Sequence, residues 1–271
     1  MADLNPITWW RHMLSLPNTS PAKTLIVALL VALTCGMAVS VTAIMLRPLQ
    51  QKHHERERQA RMQELLKSLP GGMKGLIDDA GEVTLQRVLV ELATGAIIEV
   101  ADPLSFDQRA EAADPRANFD IPASADIAGI GKRSRRAPAY LMRRNGKLKR
   151  IILPVRGSGY QSMLYGYLAL EGDLVTVAGL TFYAQAETPG LGTRIQEPAW
   201  QNLWPGSKIA DDQGNLRIEV VRGKGTRPYQ VDGISGATRT GTGVTNLLRF
   251  WLGDYGFGPF LKQVETGKID P

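Results

Sequence analysis

The chain has 271 residues, a formal net charge of +6 and a single cysteine, Cys35, so it forms no intrachain disulfide and, lacking a CxxC pair, holds no iron–sulfur cluster by itself. Its three histidines, His12, His53 and His54, all precede residue 55. The long region that follows has neither His nor Cys, which excludes His-based triads, cysteine nucleophiles and the usual zinc sites; redox chemistry there requires an imported cofactor.

In chain order, the first element is an uncharged run at residues 24–46, TLIVALLVALTCGMAVSVTAIML. At about 1.5 Å per residue its 23 residues make a helix of about 34 Å, enough to cross a bilayer core. The competing reading is a cleaved signal peptide, with small residues at 41–43 as the cleavage site. Arg11 and Lys23 precede the run, whereas Arg47, Lys52, Arg56, Arg58 and Arg61 follow it. Taken literally, that charge bias puts the large C-terminal region in the cytoplasm. Residues 50–69 read as a juxtamembrane helix, with Glu57 and Arg61 one turn apart and Pro70-Gly71-Gly72 as its stop. The expected division is an N-terminal tail at 1–23, a transmembrane helix at 24–46, a helical linker at 47–72 and one domain at 73–271.

Within that domain, 83–92 and 96–100 read as two strands around Ala93-Thr94-Gly95. Residues 101–136 have weak periodicity and read as a long excursion with short helical pieces. Strands are expected again at 150–155, 163–170, 174–183 and 216–221, with Glu171-Gly172-Asp173 as a tight turn. Val244, Leu247, Leu248 and Trp251 are spaced as one face of a helix. The order predicts an α+β fold with a mostly antiparallel sheet behind one N-terminal transmembrane helix.

Residues 132–150, KRSRRAPAYLMRRNGKLKR, carry nine Lys/Arg and no acid. Contact with nucleic acid, anionic lipid or an acidic partner is one reading. The plainer one is a solvated loop and strand edge, partly neutralised by the six acids between Asp102 and Asp126. No nucleic-acid motif accompanies the patch, so no nucleic-acid partner is expected.

Two glycine-rich loops remain. Glu187-Thr188-Pro189-Gly190-Leu191-Gly192 follows a strand, and its glycines let backbone N–H groups approach a ligand; an ordinary turn has the same composition. The second, DGISGATRTGTG at 232–243, runs into the predicted helix. A glycine-rich turn at a helix N-terminus suits a phosphate, and a simple capping loop fits equally well. Gly223-Lys224-Gly225 lacks the spacing of a phosphate-binding GxxxxGK[ST] loop, and no GxGxxG links a strand to a helix. No catalytic and no metal-ligating residues are expected.

SGAT at 235–238 and ETPGLG at 187–192 resemble the paired motifs of the FMN-binding domain shared by the C subunit of the sodium-translocating NADH:quinone reductase and the G subunit of the Rnf complex. LPVRGSGYQSMLYGYLAL at 153–170 and FWLGDYGFGPFLKQV at 250–264 resemble the reductase protein specifically. The family often carries a tryptophan where this chain has Tyr160-Gln161. The resemblance covers essentially the whole chain and implies a single FMN-binding domain with FMN esterified through its phosphate to Thr238. It also implies a bacterial inner-membrane location with the flavin domain on the periplasmic side, against the local charge bias. A separate flavin transferase using FAD and Mg²⁺ would install the cofactor. The chain would then pass electrons among other subunits of a complex that oxidises NADH, reduces ubiquinone and pumps Na⁺. On this resemblance Ser235, Gly236, Ala237 and Thr240 would surround the phosphate, with Thr240 donating to it. Glu187, Thr188, Gly190, Leu191, Gly192 and Tyr160 would face the flavin. The alternatives are an Rnf-type subunit with covalent FMN, or a membrane-tethered binding module using residues 132–150.

Overall fold

The computed structural model describes residues 17, 20–21, 23–42, 45, 83–99 and 106–268. The chain divides into two units, Met1–Arg56 and Glu57–Pro271. In the first, Lys23–Thr42 forms helix α1, 20 residues with a mean hydropathy of 2.4 and no part of it buried. Its length, about 30 Å, and its mostly apolar surface fit a single-pass membrane anchor. The proposed helical linker at 50–69 lies outside the described residues.

The second unit is built on a six-stranded antiparallel sheet in the order β2-β1-β5-β6-β7-β8. The strands are β1 (Val83–Glu91), β2 (Ile97–Ile98), β5 (Arg136–Arg144), β6 (Lys147–Ser158), β7 (Met163–Glu171) and β8 (Val177–Ala184). A short helix α2 (Gln108–Ala113) and a two-stranded ribbon, β3 (Asn118–Asp120) with β4 (Lys132–Ser134), occupy the excursion between β2 and β5. After β8 come a 3₁₀ turn (Gly192–Gln196), helix α3 (Pro198–Gln201) and a small parallel pair, β9 (Glu219–Val220) with β10 (Gln230–Val231). Helices α4 (Thr238–Leu252) and α5 (Gly258–Glu265) follow.

Helix α4 forms where the apolar period predicts it. Val244, Leu247, Leu248 and Trp251 are all fully buried against Leu153, Val155, Leu168 and Phe182 of the sheet. Trp251 also donates its indole N–H to the Arg156 carbonyl at 2.7 Å, which ties the helix to β6. The opposite face of the sheet carries a separate cluster of Met142, Ile152, Tyr167, Ala169 and Ala178, with Tyr140 and Tyr183 packed on it.

The basic segment is not a solvated loop and edge. It supplies β4, the whole of β5 and the start of β6, and β5 lies inside the sheet between β1 and β6. Asn145 and Gly146, at φ 51° and 76°, make the two-residue hairpin turn between them. Arg133 and Arg150 are buried; Arg150 pairs with Glu171 at 3.1 Å across the β6–β7 ladder. Two strand boundaries also shift. Residues 174–176 belong to a turn rather than to β8, because Leu174 is left-handed at φ 60° and Asp173 accepts from the Val175 and Thr176 amides. The strand expected at 216–221 shortens to Glu219–Val220.

Candidate functional site

Beyond the end of β8 the chain turns Glu187 inward, where it is 3% exposed. Its Oε1 accepts from the Gln161 amide at 3.0 Å, the Ser162 amide at 2.9 Å and the Ser162 hydroxyl at 3.0 Å. Its Oε2 accepts from the Tyr160 amide at 3.0 Å and from the Thr240 hydroxyl at 2.7 Å. One carboxylate thereby joins the β6–β7 turn, the 187–192 loop and the first turn of α4. Burial by itself pushes the Glu187 carboxyl pKa up, but the bonds from Thr240, Gln161, Tyr160 and Ser162 outweigh it and hold the group below the usual glutamate value.

The loop leaves no spare room at this junction. A Cβ on Gly192 would lie 2.7 Å from Glu187 Cβ and 2.8 Å from Thr240 Oγ1, so only glycine lets the loop approach the helix this closely. The Gly190 amide donates to Thr193 Oγ1 at 3.0 Å, and the Leu191 amide to the Thr188 carbonyl at 3.1 Å. These bonds push Leu191 outward, where it is 40% exposed.

The 232–238 turn is braced from behind. Asp232 accepts from the Gly225 amide at 2.8 Å, and its carbonyl accepts from the Trp200 indole at 3.0 Å. The Ala237 amide donates to the Ile234 carbonyl at 3.0 Å, and Gly236 takes φ +79°, which an L side chain resists. Thr238 is the first residue of α4 and is exposed. The N-cap is Ala237, with no side-chain cap, so first-turn N–H groups and the helix dipole face outward unclaimed by any capping side chain.

Thr238 stands on a ridge between two open concavities. One, about 300 Å³, is lined by Tyr160, Thr188, Leu191, Gly236, Thr238 and Arg239 among others. The Arg239 guanidinium sits 5.2 Å from the Tyr160 ring centroid, and Tyr160 is 51% exposed. The other, about 310 Å³, is lined by Val221, Arg222, Gly223, Ser235, Gly236 and Thr238 among others. Each concavity thus offers an arginine and an apolar or glycine-lined wall beside one hydroxyl.

The structure therefore brings Tyr160, Thr188, Leu191, Gly192 and the 236–240 segment to one surface, and places Ser235 in the adjoining concavity. Glu187 and Gly190 line neither; the first is a buried brace and the second shapes the turn. The Thr240 hydroxyl donates a hydrogen bond to Glu187, which positions the loop against the helix. Sequence reasoning did not single out Ser162, Arg222 or Asp232. Only Asp232 carried a signal, as the start of the DGISGAT stretch.

A family model described as an FMN-binding domain matches residues 159–253, which span both loops and α4. The C subunit of the Na⁺-translocating NADH-quinone reductase of Pseudomonas aeruginosa is 40% identical, with 92% of this chain and 98% of that protein covered. Its counterpart in Yersinia pestis is 37% identical, covering 93% and 96%. The crystal structure of Shewanella oneidensis NqrC superposes with a TM-score of 0.67 at 31% identity, over 78% of this chain and 99% of that one.

Proposed function

Because the chain belongs to the family of C subunits of the Na⁺-translocating NADH-quinone reductase, components of an oxidoreductase complex with an FMN-binding domain, we propose that it carries FMN covalently on Thr238 and relays electrons from NADH toward ubiquinone. The observation that carries this reading is the exposed Thr238 hydroxyl at the uncapped start of α4, between two concavities that each hold an arginine. FMN supplies the redox-active ring and accepts or releases electrons one or two at a time.

The residues fit that group. The free N–H groups of the first turn of α4 and the positive end of its dipole favour a phosphate beside Thr238. Arg239 and Arg222 add positive charge on either side. Tyr160 and Leu191 expose flat apolar surface suited to an aromatic ring. Glu187 and Thr240 hold the two loops in register. Among the described residues, no side chain lining the two concavities is an acid, a histidine or a cysteine that could activate the Thr238 hydroxyl. A separate flavin transferase using Mg²⁺ fills that need: the Thr238 oxygen displaces AMP from the FMN phosphorus of FAD.

Helix α1 anchors the chain in the bacterial inner membrane, and the flavin domain lies on the periplasmic side. Na⁺ translocation belongs to the assembled complex, in which this chain works with the other subunits. The relatives carry the reductase name, which favours this reading over an Rnf-type subunit. The burial of Arg133 and Arg150 disfavours a nucleic-acid or lipid-binding module built on residues 132–150.

Membranes of the source cell, run on a denaturing gel, should show a fluorescent band at this chain's mass. Peptide mass analysis should find the FMN adduct on Thr238. A chain without flavin, or one that keeps covalent flavin after Thr238→Ala, overturns the assignment. Orientation is tested with Cys35→Ser/Lys224→Cys: a membrane-impermeant thiol reagent should label intact spheroplasts, and labelling only after lysis reverses the topology.

A further inference from the structure

On the sheet face turned away from α4, a notch opens beside α2, lined by Gln108, Arg109, Arg156, Tyr165 and Tyr183 over the Pro154-Val155 backbone. Arg109 lies 3.8 Å from the Tyr165 ring centroid and 5.7 Å from that of Tyr183, to whose hydroxyl its Nη2 is 3.5 Å distant. Arg156 donates through Nη2 to the Lys132 carbonyl at 2.8 Å and bonds to Tyr165, while its Nε is buried with no partner. Two guanidiniums and two phenols thus converge on one point, and none of the lining residues is an acid.

The nearest carboxylates on α2 are committed elsewhere. Asp107 caps the helix by accepting from the Arg109 and Ala110 amides, and Glu111 pairs with Arg136 at 2.8 Å. Burial lowers the Arg156 pKa, Tyr165 and Tyr183 raise it, and the neighbouring Arg109 lowers it. The free space is about 20 Å³, room for one water-sized group rather than a whole metabolite. Tyrosine and arginine around a small desolvated socket are also the composition of interface anchor points.

We propose that this notch receives the carboxylate of an Asp or Glu side chain from a neighbouring subunit of the assembly. The carboxylate pairs with Arg109 beside the Arg156 guanidinium, with the Tyr165 and Tyr183 hydroxyls able to donate to it. The volume excludes a whole metabolite, and the charge favours an acid. The proposal takes from the functional reading only that the chain sits in a multisubunit complex; its test does not involve the flavin.

The test uses the assembled complex. Arg109→Lys keeps the charge and supplies an amine, so a zero-length carbodiimide reagent should form an amide between position 109 and an acid on another subunit, located by peptide mass. Arg109→Glu should cut retention of the chain in the complex at least about tenfold at raised salt, with covalent flavin content unchanged. If Arg109→Glu fails to fold, the charge-keeping variant alone decides. An amide formed only with Asp107, Glu111 or other acids of the same chain overturns the proposal. So does the absence of any amide, or full retention of a folded Arg109→Glu. Stabilisation of the full chain by acetate or chloride without an intersubunit amide also overturns it, assigning the notch to free small anions.

Discussion

The two loops that meet at Thr238 are opposites in construction. The 187–192 loop is locked from inside: its carboxylate is buried and takes five hydrogen bonds from two other elements. The 235–238 turn keeps its hydroxyl exposed and its helix start uncapped, and its bracing comes from Asp232 behind it. One loop fixes geometry and the other offers a reactive group. The proposed attachment by another protein would need both, since the acceptor residue must be accessible while its surroundings stay organised.

That division is open to attack in order of expected effect. Thr238→Ala should abolish covalent flavin completely while shifting unfolding free energy by no more than about 0.5 kcal/mol, as for an exposed surface position; a gel and a urea titration read both. Glu187→Ala should do the converse. It strands the Tyr160, Gln161 and Ser162 amides and the Thr240 hydroxyl, at a cost of about 3–5 kcal/mol. If its melting curve matches wild type, the buried brace is not structural.

Acid sharpens the same contrast. The folded-state pKa of Glu187 lies below the unfolded value of about 4.3. Its contribution is therefore complete above that value and is lost as pH falls through the lower, folded one. Glu187→Gln should flatten the stability–pH curve below about pH 4.3 relative to wild type. Asp173, whose bonds from Thr176 and Val175 outweigh burial, and Asp211, held at about 2 first by Arg217, keep the rest of the slope. Arg239→Ala is the mildest change. Losing the cation over Tyr160 should cost about 0.5–1 kcal/mol and slow flavin attachment a few-fold, measured as adduct formed per minute with the transferase.

The parts legible in the sequence were those whose local pattern and tertiary role agree. Val244, Leu247, Leu248 and Trp251 announced α4, and the Glu171-Gly172-Asp173 turn marked the β7–β8 hairpin. Strand β5 was hidden because Arg136, Arg143 and Arg144 mask its apolar centre, although Asn145-Gly146 is a strong hairpin signal. Two of the segment's cations are buried through long-range partners, Arg150 against Glu171 and Arg133 over the Phe119 ring at 4.5 Å, which no local pattern reveals. At the site, the motifs located the loops but not the direction of each side chain. Glu187 and Thr240 turned inward to each other, 53 residues apart in sequence. Only the folded chain shows that their polar groups are already spent.

Thr238 opens the same helix whose later turns carry Trp251 into the centre of the molecule. An attachment at the tip of a free loop would sway with every motion of that loop. A group joined at Thr238, as proposed, would instead pull on a stiff rod that ends in close-packed side chains, which barely yield. On the proposed attachment the mount would be rigid, and the cofactor would keep the orientation that the helix sets rather than stretch on a slack leash.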